Sequence, residues 1–147
     1  MLRLLDLLFP KKVFHGDGGP YLTRYKLFSL GKKLIRIYFH VFHRSDEDRE
    51  LHSHPWRWSV GLILKGGYRE KRLVARLSVC EFLRNPGSFV FLRKTDFHRV
   101  TLLEKESWSL FIAGPEEGTW YFLDPRTDQK WQWEEFIKRK GLEPIKD

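Results

Sequence analysis

The sequence predicts an all-β barrel with one short helix at each end. Between residues 21 and 122 the apolar side chains form short runs, rich in aromatic and β-branched residues and separated by turn formers such as Gly66-Gly67. Residues 35–42 alternate with a period of two, which is typical of a strand with one buried face. Since 147 residues is a common size for one domain, we expect a single domain over residues 1–147.

The predicted elements follow in order along the chain. The first nine residues are apolar apart from Arg3 and Asp6, and Pro10 ends them, so they predict a short packed helix and neither a signal peptide nor a membrane span. The predicted strands are residues 21–29, 35–42, 50–54, 59–64, 68–72, 73–82, 88–92, 99–103, 108–113 and 119–123. A closing helix is indicated by acidic residues before Phe136, basic residues after it, and Gly141 as a C-terminal cap.

Composition limits the partners and the compartment. The chain has 27 Lys and Arg against 19 Asp and Glu, and the basic excess lies in the first hundred residues, so anionic partners are favoured. No nucleic-acid-binding motif is present, and we do not expect nucleic acid as the partner. Cys80 is the single cysteine, which excludes an internal disulfide and suits a cytoplasmic protein. We expect it to be a buried, inert thiol.

The segment from Leu51 to Ser59 carries the chemistry. Residues two apart in a strand face the same side, so His52 and His54 present two imidazoles together, and Pro55 favours extended backbone before it. His98 begins another strand with period-two alternation, which an antiparallel barrel can bring beside the first. The three histidines are therefore candidate metal ligands and candidate catalytic residues.

These features resemble the cupins, which are small double-stranded β-helix (jelly-roll) barrels. His52-Ser53-His54 is similar to the histidine pair of their first motif, Gly66 to its closing glycine, and Pro86-Gly87 followed by His98 to their second motif. The resemblance covers about residues 34–113. It implies one divalent metal at the barrel mouth, with Fe(II) favoured over Zn, Ni, Cu or Co, and oxygenation as the reaction if the protein is an enzyme. By the same analogy, a homodimer formed through edge strands is expected.

The chain departs from the family at one ligand position. Where cupins often have a glutamate, this sequence has Ser59 or, one residue earlier, Trp58. Three neutral histidines leave a divalent ion with its full charge, and Arg57 adds to it, so we expect a small anionic substrate. Glu70 is an alternative carboxylate from the next strand, although its position does not match the motif.

Several side chains are candidates for substrate binding. Trp56, Trp58 and Tyr68 form either an aromatic wall around a ligand or part of the core. His43 shares the parity of Ile37 and Val41, which we expect to face the core, and it is therefore a candidate for the cavity wall, whereas His40 is expected on the opposite face. The candidates for bidentate binding of a carboxylate or phosphate are Arg36, Arg57, Arg69, Arg93 and Arg99.

Two other functions stay open at this point. A metal-free sugar epimerase or isomerase of the same fold uses histidines as acid and base, and it needs a carboxylate directed at one of them; the sequence offers Glu50 and Glu70 near His52. A non-catalytic ligand-binding barrel requires only the cavity. The sequence alone does not decide whether the protein is an enzyme.

Overall fold

A computed structural model of the protein contains, among the residues that it describes, twelve strands in two antiparallel sheets and two short helices. The structure describes residues 1–16, 18–46 and 48–141. Helix α1 (Leu2–Leu8) precedes the strands and helix α2 (Trp133–Arg139) follows them. The strands are β1 (Lys11–Gly16), β2 (Gly19–Ser29), β3 (Arg36–Phe42), β4 (Leu51–His52), β5 (Trp58–Lys65), β6 (Tyr68–Ala75), β7 (Ser78–Arg84), β8 (Phe89–Arg93), β9 (His98–Leu102), β10 (Ser107–Ala113), β11 (Tyr121–Asp124) and β12 (Gln129–Gln132).

Each sheet has six strands. Sheet A has the order β1-β2-β3-β10-β5-β8, and sheet B has the order β12-β11-β4-β9-β6-β7. Residues of both sheets line one cavity between them, and apolar clusters such as Ile63 with Tyr68, Val90 and Val100 join the sheets. The predicted all-β jelly-roll with a helix at each end is confirmed.

The ends of the chain differ in part from the prediction. Strands β1 and β12 were not predicted, because their polar, mostly exposed residues give no apolar pattern. The predicted strand over 73–82 is instead two strands, joined by a hairpin in which Leu77 has a positive φ of 59°. The C-terminal helix starts at Trp133, ends before Gly141 with its φ of 73°, and so has the expected glycine cap.

The predicted inner face of β3 is reversed. Phe39 and Val41 pack with Tyr25 beneath α1, whose Leu2 and Leu5 cover this side of sheet A. The alternate residues of the strand, which we expected outside, line the cavity; they are Arg36, Tyr38, His40 and Phe42. The expectation is wrong because α1 covers the outer face, so both faces of the strand are buried and hydrophobicity does not tell them apart.

Two further findings concern other expectations from composition. Cys80 lies on the edge strand β7 and is exposed, which corrects the expectation of a buried thiol. Neither helix in the described part of the chain has the length and apolarity needed to cross a membrane.

Candidate metal centre

The three candidate ligands meet in sheet B. His52 on β4 pairs directly with His98 on β9, and His54 follows β4 by two residues. One ring nitrogen from each histidine lies within 4.8 Å of the other two. The ring centroids are 4.9–5.2 Å apart. Two distant segments of the chain therefore bring three imidazoles to a common point.

Glu70 fixes the orientation of His98 from behind. Its fully buried carboxylate lies 2.8 Å from His98 Nδ1, and it also accepts hydrogen bonds from Arg72 and Arg84. Burial raises the pKa of Glu70, but the hydrogen bonds from His98 and Arg72 outweigh it and bring the pKa to about 2. Since an ionised carboxylate only accepts, His98 donates through Nδ1 and keeps the lone pair of Nε2 for the common point.

A second carboxylate lies beside His52. Asp46 Oδ2 is 3.8 Å from His52 Nδ1, too far for a hydrogen bond but close enough to favour a proton on that nitrogen. The same carboxylate accepts hydrogen bonds from the Tyr21 hydroxyl and, at 2.5 Å, from the Val100 backbone. These hydrogen bonds hold Asp46 in place beside His52.

Two of the three histidines, His52 and His54, are neutral at physiological pH. Burial lowers the pKa of His52 to about 4, although Asp46 opposes the shift. Burial also lowers the pKa of His54 well below its ordinary value, and the neighbouring His52 and His98 lower it further. Neutral imidazole is the form that binds a metal ion, so the two histidines need no deprotonation at pH 7.

The donor set fits a divalent transition metal. His54 Nε2 and His98 Nε2 are 3.0 Å apart, and two nitrogen ligands about 2.1 Å from one ion at a right angle lie about 3.0 Å from each other. Three imidazoles suit Fe(II), Zn, Ni, Cu or Co and are poor ligands for Mg or Ca. Among the described residues, the cluster contains no carboxylate, so an ion held there keeps its full charge.

The triad lines the cavity between the sheets, which has a volume of about 730 Å³. This volume is sufficient for a small organic ligand. Basic residues outnumber acidic ones in the described lining: the basic ones are Lys11, Lys12, Arg24, Lys26, Lys32, Arg36 and Lys140, and the acidic ones are Asp46, Asp48 and Glu116. The charge of the wall therefore favours an anionic ligand.

The wall from sheet A brings an arginine close to the triad. His54 stacks on Trp56 with ring centroids 5.4 Å apart, and the Arg24 guanidinium lies 5.6 Å from the Trp56 ring. Arg24 also donates from Nε to His40 Nε2 at 3.0 Å. Burial lowers the pKa of His40 and the charge of Arg24 lowers it further, so His40 is a neutral acceptor.

Only part of the predicted substrate-binding set lies in the cavity wall. Trp56 and Tyr68 are buried and line the cavity. Arg57 is exposed and pairs with Glu117 at 2.6 Å, and Trp58 packs against Gly114 on the other side of the sheet. Both lie outside the described lining of the cavity.

Glu70 and His43 are also outside the lining. Glu70 reaches the site through His98 rather than facing the cavity. His43 contacts Thr23 at 2.9 Å and Glu106 at 3.4 Å, on the face of sheet A that α1 covers. A direct contact of these two side chains with a substrate stays a prediction that the geometry does not favour.

Sequence reasoning missed three residues of the site. Asp46 lies in a stretch rich in charged residues, and no pattern in the sequence singles it out. His40 was expected on the outer face, and Arg24 had no assigned role. The alternation of side chains along β2 and β3 could have indicated both residues. Arg24 and His40 are register partners on these two strands, so their side chains face the same side of the sheet.

Comparison with known proteins supports the fold and leaves the family open. No protein-family model and no curated protein matches the chain. Among solved structures, Fe(II) HppE is 13% identical with a TM-score of 0.58, and the match covers 72% of this chain and 56% of that one. HppE and the two neighbours described next are cupin-fold proteins. The chain has the cupin fold.

Two shorter neighbours match over most of their own length. A putative mannose-6-phosphate isomerase from Ralstonia eutropha is 12% identical, with a TM-score of 0.55 over 69% of this chain and 91% of that one. KdgF from Halomonas sp. is 16% identical, with a TM-score of 0.52 over 69% and 87%. At these identities the likeness concerns the fold, while the chemistry has to be argued from the residues of this chain.

Proposed function

We propose that the protein binds one divalent transition metal through His52, His54 and His98 and acts as a non-haem Fe(II)-type dioxygenase on a small anionic substrate. The observation that carries this proposal is the convergence of three histidine ring nitrogens in the cavity, with His52 and His54 neutral at pH 7. We favour Fe(II) over Zn, Ni, Cu and Co. The structural neighbour HppE, described with Fe(II), supports that choice.

The residues of the chain divide the work between holding the site and shaping it. An ion of this kind, when bound, supplies open coordination positions where dioxygen and a substrate oxygen can meet. Glu70 and Asp46 orient two of the imidazoles, and Trp56 packs against the third. The aromatic walls exclude water, while the basic lining attracts the anion.

Metal analysis tests the proposal. Protein reconstituted with Fe(II) under anaerobic conditions is expected to hold about one ion per chain, and His52→Ala, His54→Ala and His98→Ala to lose most of it. His43→Ala is the matched control, since His43 lies outside the cavity and is expected to leave the metal content unchanged. A metal content that is unaffected by His52→Ala or His54→Ala would contradict the proposal.

A metal-free isomerase is the second candidate. It is favoured by the pairing of Glu70 with His98 at 2.8 Å, which is the carboxylate–histidine arrangement that an acid–base isomerase needs, and by the isomerase-like neighbour. An assay of phosphosugars without oxygen and with a chelator separates the two functions. Turnover under those conditions supports the isomerase, whereas oxygen uptake that requires Fe(II) supports the dioxygenase. Metal binding without either activity would indicate a ligand-binding role.

A further inference from the structure

The guanidinium of Arg36 has an unusual position in the cavity wall. The side chain is only 10% exposed, and Nη1 donates to Glu116 at 2.9 Å. Nε and Nη2 are buried and have no hydrogen-bond partner among the described residues. Buried donors of a charged group are nearly always paired in proteins, so these two N–H groups call for an acceptor.

The two unpaired nitrogens lie on one edge of the guanidinium. Nε and Nη2 point in nearly parallel directions, which is the geometry that binds two oxygens of one carboxylate or phosphoryl group. Glu116 occupies the remaining nitrogen and fixes the plane of the group. We propose that the Nε–Nη2 edge of Arg36 binds the anionic group of an organic ligand whose body fills the cavity between Arg36 and the triad.

The cavity wall between Arg36 and the triad indicates what kind of ligand body fits there. Arg36 and His40 are four residues apart on the cavity face of β3, about 13 Å between their Cα atoms, so this part of the wall is much longer than a bare inorganic anion. Tyr38, Trp56 and Phe111 cluster along this stretch, and Trp56 also stacks on His54. An apolar, aromatic surface of this kind suits an aromatic or alkyl body.

The ligand class that follows is an aryl or alkyl acid, with its oxyanion on Arg36 and its other end directed to the histidines. This inference rests on the proposed function only in treating the cavity as the ligand site of the metal centre. It also separates Arg36 from the other arginines considered in the sequence, because Arg57 is exposed and already paired with Glu117.

Calorimetric titration tests the assignment with 3-phenylpropionate as the probe and 3-phenylpropionamide as its uncharged analogue. Both chelator-treated and Zn(II)-loaded protein are used, so that acid binding is measured with and without the ion. We expect the wild-type protein to bind the acid more tightly than the amide, and Arg36→Gln to weaken acid binding by more than about tenfold. Arg36→Lys keeps the positive charge but lacks the two parallel N–H groups of the guanidinium, and we expect an intermediate loss of acid binding.

Arg57→Gln is the matched control and is expected to bind the acid as the wild type does. If Arg36→Gln does not fold, Arg36→Lys provides the same comparison. The inference is overturned if both Arg36 variants bind the acid normally, if acid and amide bind equally, or if the wild-type protein binds neither. Loss of metal binding with Arg36-dependent acid binding intact would sink the proposed function and leave this inference standing.

Discussion

Glu70 is the side chain that fixes the position of His98 in the triad. It has no exposed surface, and its two oxygens accept hydrogen bonds from His98, Arg72 and Arg84. The sequence indicated a carboxylate near the site but suggested that it would contact the metal or substrate directly. The structure instead puts it behind His98, a relation that depends on the pairing of β6 with β9 and cannot be inferred from spacing along the chain.

Replacing Glu70 with Gln is expected to weaken metal affinity by about 10- to 100-fold, because the neutral amide orients His98 less strongly and makes its Nε2 a weaker metal ligand. Competition with a zinc-binding chromophore measures the change. Glu81→Gln is the control, since Glu81 is exposed and pairs loosely with Arg69 at 3.8 Å. A folded Glu70→Gln protein with wild-type affinity would show that this carboxylate has no part in metal binding.

At the level of strands and turns, period-two patterns predicted most of the elements between β2 and β11, and they failed where burial does not follow polarity. Strand β1 is polar because it lies at a sheet edge, and β3 is buried on both faces because α1 covers one of them. The convergence of the three histidines was predicted regardless, since a His-x-His pair in an extended segment places both rings on one side whichever side is inside.

The turn between β5 and β6 offers a test of local structure. Gly66 has a φ of 78°, and a Cβ there would lie 2.0 Å from the Glu106 carbonyl oxygen. Gly66→Ala therefore combines backbone strain with a clash against backbone, and we expect it to lower the free energy of unfolding by more than about 3 kcal/mol.

Gly31→Ala is the matched control for that variant. Gly31 has a φ of 101° but no atom within 4 Å of an added Cβ, so only the backbone strain remains, at a cost of about 1–2 kcal/mol. Urea denaturation of both variants gives the comparison. Equal losses in the two proteins would mean that the contact of Gly66 with Glu106 relaxes at no cost.

For the whole molecule, the triad is a link between parts of the chain that are far apart in sequence. His52 and His54 precede the β5–β8 pairing, whereas His98 follows it, and only the closure of sheet B brings them together. A ligand that binds the folded state alone stabilises it by mass action, by about 2.7 kcal/mol when its free concentration is a hundred times its dissociation constant. Zn(II), which has no redox chemistry, is a suitable probe for this effect.

We expect Zn(II) to raise the midpoint of thermal unfolding and a chelator to reverse the rise, because the unfolded chain holds the three imidazoles apart and binds the ion weakly. His54→Ala should abolish most of the zinc-dependent increment, since it removes a ligand from the set while leaving the pairing of β4 with β9 in place. His43→Ala should retain it, because that ring lies outside the cavity. An equal increment in His54→Ala and wild-type protein would place zinc binding elsewhere on the chain, and no increment in either would argue against a metal-stabilised fold.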